Sequence, residues 1–142
     1  MESRKKKIFR VVVGILMVTV IVSTALYLQR KKDVTVINNH TTSAENGYEE
    51  YISVVANKVW ILNKEKMAED LVERCIENNF REIMFSYDLR GYPNGLHITV
   101  YTNKITYKLG IIAFEVDYMQ KEGDIYEYNI KDNPEEFEIR IL

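Results

Sequence analysis

Hydrophobic and polar positions follow three different patterns along the chain. From Val11 to Gln29, "VVVGILMVTVIVSTALYLQ", nineteen residues carry no charge. As a helix they rise about 28 Å, close to the roughly 30 Å of bilayer hydrocarbon. Ile8 and Phe9 lengthen the apolar stretch if Arg10 snorkels its guanidinium to the interface. Val and Ile form helices poorly in water, but in lipid a helix is the single-segment way to satisfy the backbone. A transmembrane helix is therefore expected over 8–29, behind a short basic tail at 1–7.

A period near 3.6 appears after Asn63, a residue suited to cap a helix N-terminus. Met67, Ala68, Leu71, Val72, Cys75 and Ile76 make one apolar stripe, which predicts an amphipathic helix and places Cys75 in the core. Elsewhere the period is two. "YISVVANKVWIL" reads as an opening strand. In "FREIMFSY", Ile83, Phe85 and Tyr87 share one side, and in "LHITVY" Leu96, Ile98 and Val100 oppose His97, Thr99 and Tyr101. "IIAFEVDY" sets Ile112, Phe114, Val116 and Tyr118 against Ala113, Glu115 and Asp117; "IYEYNI" and "EFEIRIL" continue the habit. Turn residues cluster at 88–95, 102–103, 123–124 and 131–134. The fold class is α+β: one amphipathic helix packed on a five- or six-stranded, mainly antiparallel meander sheet spanning 48–142. Residues 30–47, "RKKDVTVINNHTTSAENG", lack a sustained period and are expected as a polar stalk in which His40 stands alone in solvent.

One helix about 10 Å wide covers two or three strands spaced about 4.8 Å apart. Part of a five- or six-stranded sheet must then face solvent or a partner. That uncovered side would carry Met84, Ser86, His97, Thr99, Tyr101, Ala113 and Glu115, a mixture too polar for a second core.

Charge sharpens this picture. Residues 1–32 hold eight Lys/Arg and one Glu, whereas residues 33–142 hold eleven Lys/Arg and twenty Asp/Glu. The acidic body argues against nucleic-acid binding, which needs a basic footprint. Five cations precede the apolar span (Arg4, Lys5, Lys6, Lys7, Arg10) and three follow it (Arg30, Lys31, Lys32), a bias that orients the N-terminus to the cytoplasm and the domain outward. A cleaved signal peptide is the rival reading, with Ser23-Thr24-Ala25 as the cleavage site and a secreted inhibitor or effector as the product. Cys75 is the single cysteine, so no intrachain disulfide staples the domain.

Candidate chemistry is thin. Two histidines 57 positions apart and one core cysteine make no zinc set, and there is no G-x-S-x-G elbow or glycine-rich phosphate loop. No cofactor and no metal are expected. Glu65, Glu69, Glu73 and Glu77 line one side of the helix as a solvated face. "YDLRGYPNGLHITVY" collects Asp88, Arg90 and His97, the types used in acid/base catalysis, yet Pro93, Asn94 and Gly95 give each neighbour a place in a hairpin turn. Arg90, Tyr92, His97 and Tyr101 are taken as binding candidates, because Tyr and Arg dominate protein hot spots. The expectation is a non-enzymatic binding or assembly module of a cell-envelope complex. It would hold a protein partner through the uncovered sheet face or the 88–95 loop, with homo-oligomerisation left open. An extracytoplasmic enzyme built on Asp88, Arg90 and His97 is the alternative.

Overall fold

The computed structural model describes residues 3–30, 32–123 and 126–142. The first element is a single helix, α1 (Arg4–Gln29), long and apolar enough to cross a membrane, with no buried residue. Behind it come β1 (Thr35–Ala44), β2 (Gly47–Val55), α2 (Lys64–Glu77), the one-turn α3 (Tyr87–Arg90), β3 (Gly95–Tyr101), the short α4 (Lys104–Lys108), β4 (Phe114–Gln120) and β5 (Phe137–Ile141).

The strands form one five-stranded sheet in the order β1-β2-β3-β4-β5. It is mixed rather than a meander, because β2 and β3 run parallel while the other neighbours are antiparallel. The cause is α2, which lies between β2 and β3 in sequence. A helix that returns the chain along the sheet delivers the next strand in the same direction as the last.

The helical stripe is as the sequence predicts. Asn63 accepts the backbone N–H of Lys66 at 2.8 Å, and Ala68, Leu71, Val72 and Cys75 are buried. Asn78 ends the helix in the left-handed region at φ 55° and brackets the following chain. Its Oδ1 accepts Phe85 N–H at 2.7 Å, and its amide donates to Phe85 O at 2.8 Å. The core lies between α2 and the face of the sheet that carries Ile52, Val54, Leu96, Ile98, Val100, Phe114, Val116 and Tyr118. α2 rests over β4 and β5. The remaining width is filled by the segment from Phe80 to Tyr92: Phe80, Phe85 and Tyr87 pack as a ring cluster, and Tyr87 donates to Cys75 O at 2.8 Å. One face of the sheet is therefore closed by a helix and a packed loop, and the other is left open.

Four local expectations are corrected. "FREIMFSY" is no strand: Phe85 and Tyr87 do point inward, but from an irregular segment pinned by Asn78, followed by α3. "IYEYNI" forms no strand over Tyr126–Ile130, and its first residue, Ile125, lies outside the described residues along with Asp124. The stretch taken as a stalk contains β1, an edge strand held by backbone pairing to β2, with buried side chains only at Val34 and Val36. Such a strand carries almost no hydrophobic signature. Finally, 88–95 is not a hairpin loop, since β3 pairs with β2 and β4 and nothing folds back across Asn94-Gly95.

Asn94 instead joins three parts of the fold. Its Oδ1 accepts Tyr48 N–H at 3.0 Å, and its amide donates to Tyr128 O at 2.8 Å and Tyr126 O at 3.4 Å. Gly47 makes room for this bracket, because a Cβ there would sit 2.2 Å from Asn94 Oδ1.

Candidate functional site

The open face is built by register. Across the sheet, His40 of β1 pairs with Tyr51 of β2, Tyr51 with His97 of β3, His97 with Asp117 of β4, and Asp117 with Arg140 of β5. Residues opposite one another in a ladder point to the same side. One side chain from every strand thus stands in a single row across the sheet.

The row is held by specific contacts. The rings of His40 and Tyr51 stack with centroids 4.8 Å apart, and those of Tyr51 and His97 with centroids 4.3 Å apart. His97 Nδ1 lies 2.7 Å from Asp117 Oδ1, and Nε2 lies 3.2 Å from Glu49 Oε2. Tyr51 donates its hydroxyl to the same Glu49 oxygen at 3.1 Å. Burial, and then the neighbouring Glu49 carboxylate, push the Tyr51 phenol up, so at neutral pH it stays a donor. Thr99 donates to Glu115 at 3.4 Å on the same face, and Arg140 pairs with Glu138. His97 is half-buried between its two carboxylates, with 24% of its side chain exposed.

Chemically this is a rigid, acidic, aromatic surface. Glu49, Glu115, Asp117 and Glu138 face Arg140 and the stacked rings. Both ring nitrogens of His97 already lie against carboxylates, so neither points into open space where a substrate would sit. Glu49 and Asp117 flank the imidazole on opposite nitrogens rather than aiming at a common point, and among the described residues no metal-ligating group of three forms.

The four sequence candidates do not converge. His97 is at the centre of the row. Tyr101 is on β3 toward the other end of the sheet, edge-to-face with Tyr107 of α4 at 5.2 Å. Arg90 and Tyr92 belong to the closed side. Arg90 lies over the Tyr48 ring at 4.7 Å and donates to Ser43 at 3.0 Å, while Tyr92 packs on Tyr87 at 4.5 Å. Asp88 is exposed on α3, and the carboxylates against His97 are Asp117 and Glu49 instead. The triad of Asp88, Arg90 and His97 is therefore not assembled. Sequence reasoning missed Glu49, Tyr51, Asp117, Arg140 and the role of His40, which is exposed but stacked. Strand parity puts Asp117 on the open face, but only register tells that it meets His97.

A second concave feature lies at the junction of α1 with the domain. A groove of about 660 Å³ is lined by Gln29, Trp60, Ile61, Met67, Arg74 and neighbours. Arg74 pairs there with Asp33 at 2.7 Å.

Comparison with protein-family models, with curated proteins and with solved structures returned no match.

Proposed function

We propose that the chain is a single-pass membrane protein, N-terminus in the cytoplasm. Its acidic α+β domain is an extracytoplasmic binding module for a protein partner in a cell-envelope complex. The observation that carries this reading is the ordered row from His40 to Arg140 on the face that α2 leaves uncovered. Side chains fixed before binding lose little entropy on contact, and aromatic and Arg side chains supply most of the energy at protein interfaces. With four carboxylates on the same face, the matching partner presents a basic or aromatic segment.

Retention of α1 is favoured over cleavage after Ala25 by its length, since the helix runs on through Leu26, Tyr27 and Leu28 to Gln29 and meets a basic stop at Arg30, and its end is tied to the domain. Gln29 donates to Trp60 O at 2.8 Å and accepts Val59 N–H at 3.0 Å, and the Lys58 ammonium donates to Arg30 O at 3.3 Å. An enzymatic reading has weaker support, because the His97 nitrogens are both occupied.

The test is capture from detergent-solubilised membranes with the full chain as bait. Tyr51→Ala and Asp117→Arg are expected to lose partners that the wild type retains, whereas Asp88→Ala, on the closed side, keeps them. Identical capture by wild type and both open-face variants would exclude this face as the binding surface.

A further inference from the structure

Two segments of the acidic body carry lysines and no carboxylate. Residues 56–64, "ANKVWILNK", and 102–112, "TNKITYKLGII", together hold Lys58, Lys64, Lys104 and Lys108 and no Asp or Glu, although residues 33–142 contain twenty acidic side chains. The fold brings the two segments side by side: Lys58 N–H donates to Thr102 O at 3.0 Å, and the Asn103 amide donates to Lys58 O at 3.4 Å.

Their apolar side chains are turned outward. Leu62 is 83% exposed, Ile105 69%, Leu109 67%, Ile111 54% and Trp60 40%. This is not the solvated surface of an acidic domain. These five large apolar groups and exposed Tyr107, interleaved with lysines, have the composition of a membrane-interface belt. Asn103 fixes the geometry of α4, accepting the N–H groups of Ile105 and Thr106 while the Thr106 hydroxyl accepts Asn103 N–H. Ile105 and Leu109 stand four residues apart, one turn of helix, and so share a side of α4.

The same end receives α1. Gln29, the last residue of the apolar helix, is hydrogen-bonded on both sides of its amide to Val59 and Trp60. With α1 across the bilayer, no spacer separates the helix end from Trp60. The Trp60 backbone is thereby tied directly to the end of α1.

We infer that the 56–64 and 102–112 segments form a lipid-docking surface. Trp60, Leu62, Ile105, Leu109 and Ile111 sit in the interfacial layer of the anchoring membrane, and Lys58, Lys64, Lys104 and Lys108 meet anionic headgroups. The surface rests on the anchored reading and adds to it a fixed posture: the domain stands on the bilayer through this end, with the sheet rising from it. Interfacial binding of this kind scales with apolar area and with lysines near an anionic surface.

Trp60 is the only tryptophan, so it reports directly. The full chain is reconstituted into vesicles of phosphatidylcholine and phosphatidylglycerol, floated to confirm insertion, and its fluorescence is measured with lipids brominated near the headgroup or near the acyl terminus. The expected result is stronger quenching by the shallow bromines. Quenching should be roughly halved in Ile105→Glu/Leu109→Glu and, independently, in Lys104→Glu/Lys108→Glu, all four positions being exposed. Floated protein whose Trp60 is unquenched by either lipid overturns the docking surface while leaving the anchor intact. So does Trp60 shielded both from acrylamide and from the brominated lipids, which marks contact with a second copy or another protein. Failure of the chain to float with the vesicles overturns the anchor, and the docking surface with it.

Discussion

Glu50 is a carboxylate on the wrong side of its strand, and replacing it gives a signed prediction. It alternates with Tyr48, Ile52 and Val54 on the closed face of β2 and is 5% exposed. The Thr41 hydroxyl donates to Oε1 at 2.9 Å, whereas Oε2 has no hydrogen-bond partner among the described residues. Burial pushes the Glu50 carboxyl above the usual 4.5, outweighing the Thr41 hydrogen bond and the charges of Arg90 and His40 that pull it down. Between the ordinary value and the raised one, the folded chain holds a proton that the unfolded chain has already released. Stability from this group is fully present below the ordinary carboxylate value and is lost as pH rises through the higher folded one. An unsatisfied buried acceptor costs about 1–3 kcal/mol, more when charged. Glu50→Gln keeps the shape and the bond from Thr41 and removes the charge. We expect it to raise stability at pH 7 by about 1 kcal/mol, a gain of about 4 °C or more in Tm for a domain of this size. Thermal unfolding of the full chain in detergent from pH 4 to pH 8 reads both effects, and the variant curve should also be flatter with pH. A variant less stable than wild type at pH 7, or two curves that stay parallel across the range, would refute the reasoning.

Two further outcomes follow from the closed side of the sheet. Asn94→Ala removes three hydrogen bonds and leaves Tyr48 N–H without its acceptor, so urea unfolding should show a loss of about 2–4 kcal/mol; Asn94→Asp, which keeps the acceptor, should lose less. Burial pushes the Cys75 thiol well up, and its side chain is inaccessible, so a membrane-permeant alkylating reagent should leave Cys75 unmodified by mass spectrometry until denaturant is added.

The parts of the fold that are legible in the sequence are those where burial alone sets the pattern. α2 shows six apolar residues on one stripe behind a capping Asn63, and β3 and β4 alternate strictly because one face is core and the other is not. β1 is illegible for the opposite reason: its middle and end, Asn38 to Ala44, bury nothing, and backbone pairing leaves no mark on composition. Ile83, Phe85 and Tyr87 do alternate, yet their inward placement comes from side-chain brackets such as Asn78, which a period cannot distinguish from a strand. Asn94-Gly95 reads as a hairpin turn because its local chemistry suits one. Its actual partners, Tyr48 and Tyr128, are 46 and 34 positions away. The open-face row fails to emerge for the same reason. Parity assigns His97 and Asp117 to one side, but their meeting with Tyr51 and Glu49 depends on β2 running parallel to β3. That relation is fixed by the crossover through α2 and not by any residue in the row.

Everything proposed for the open face and the lysine-rich end requires α1 to stay in the membrane with the domain outside. The most direct measurement is labelling of intact cells with a membrane-impermeant maleimide. The native thiol gives no background, because Cys75 is buried. A cysteine introduced at exposed Asp88 should label on intact cells, and one introduced at Ser3 should label only after permeabilisation. Labelling of Ser3→Cys but not Asp88→Cys on intact cells, or recovery of a chain that begins at Leu26, would contradict the account.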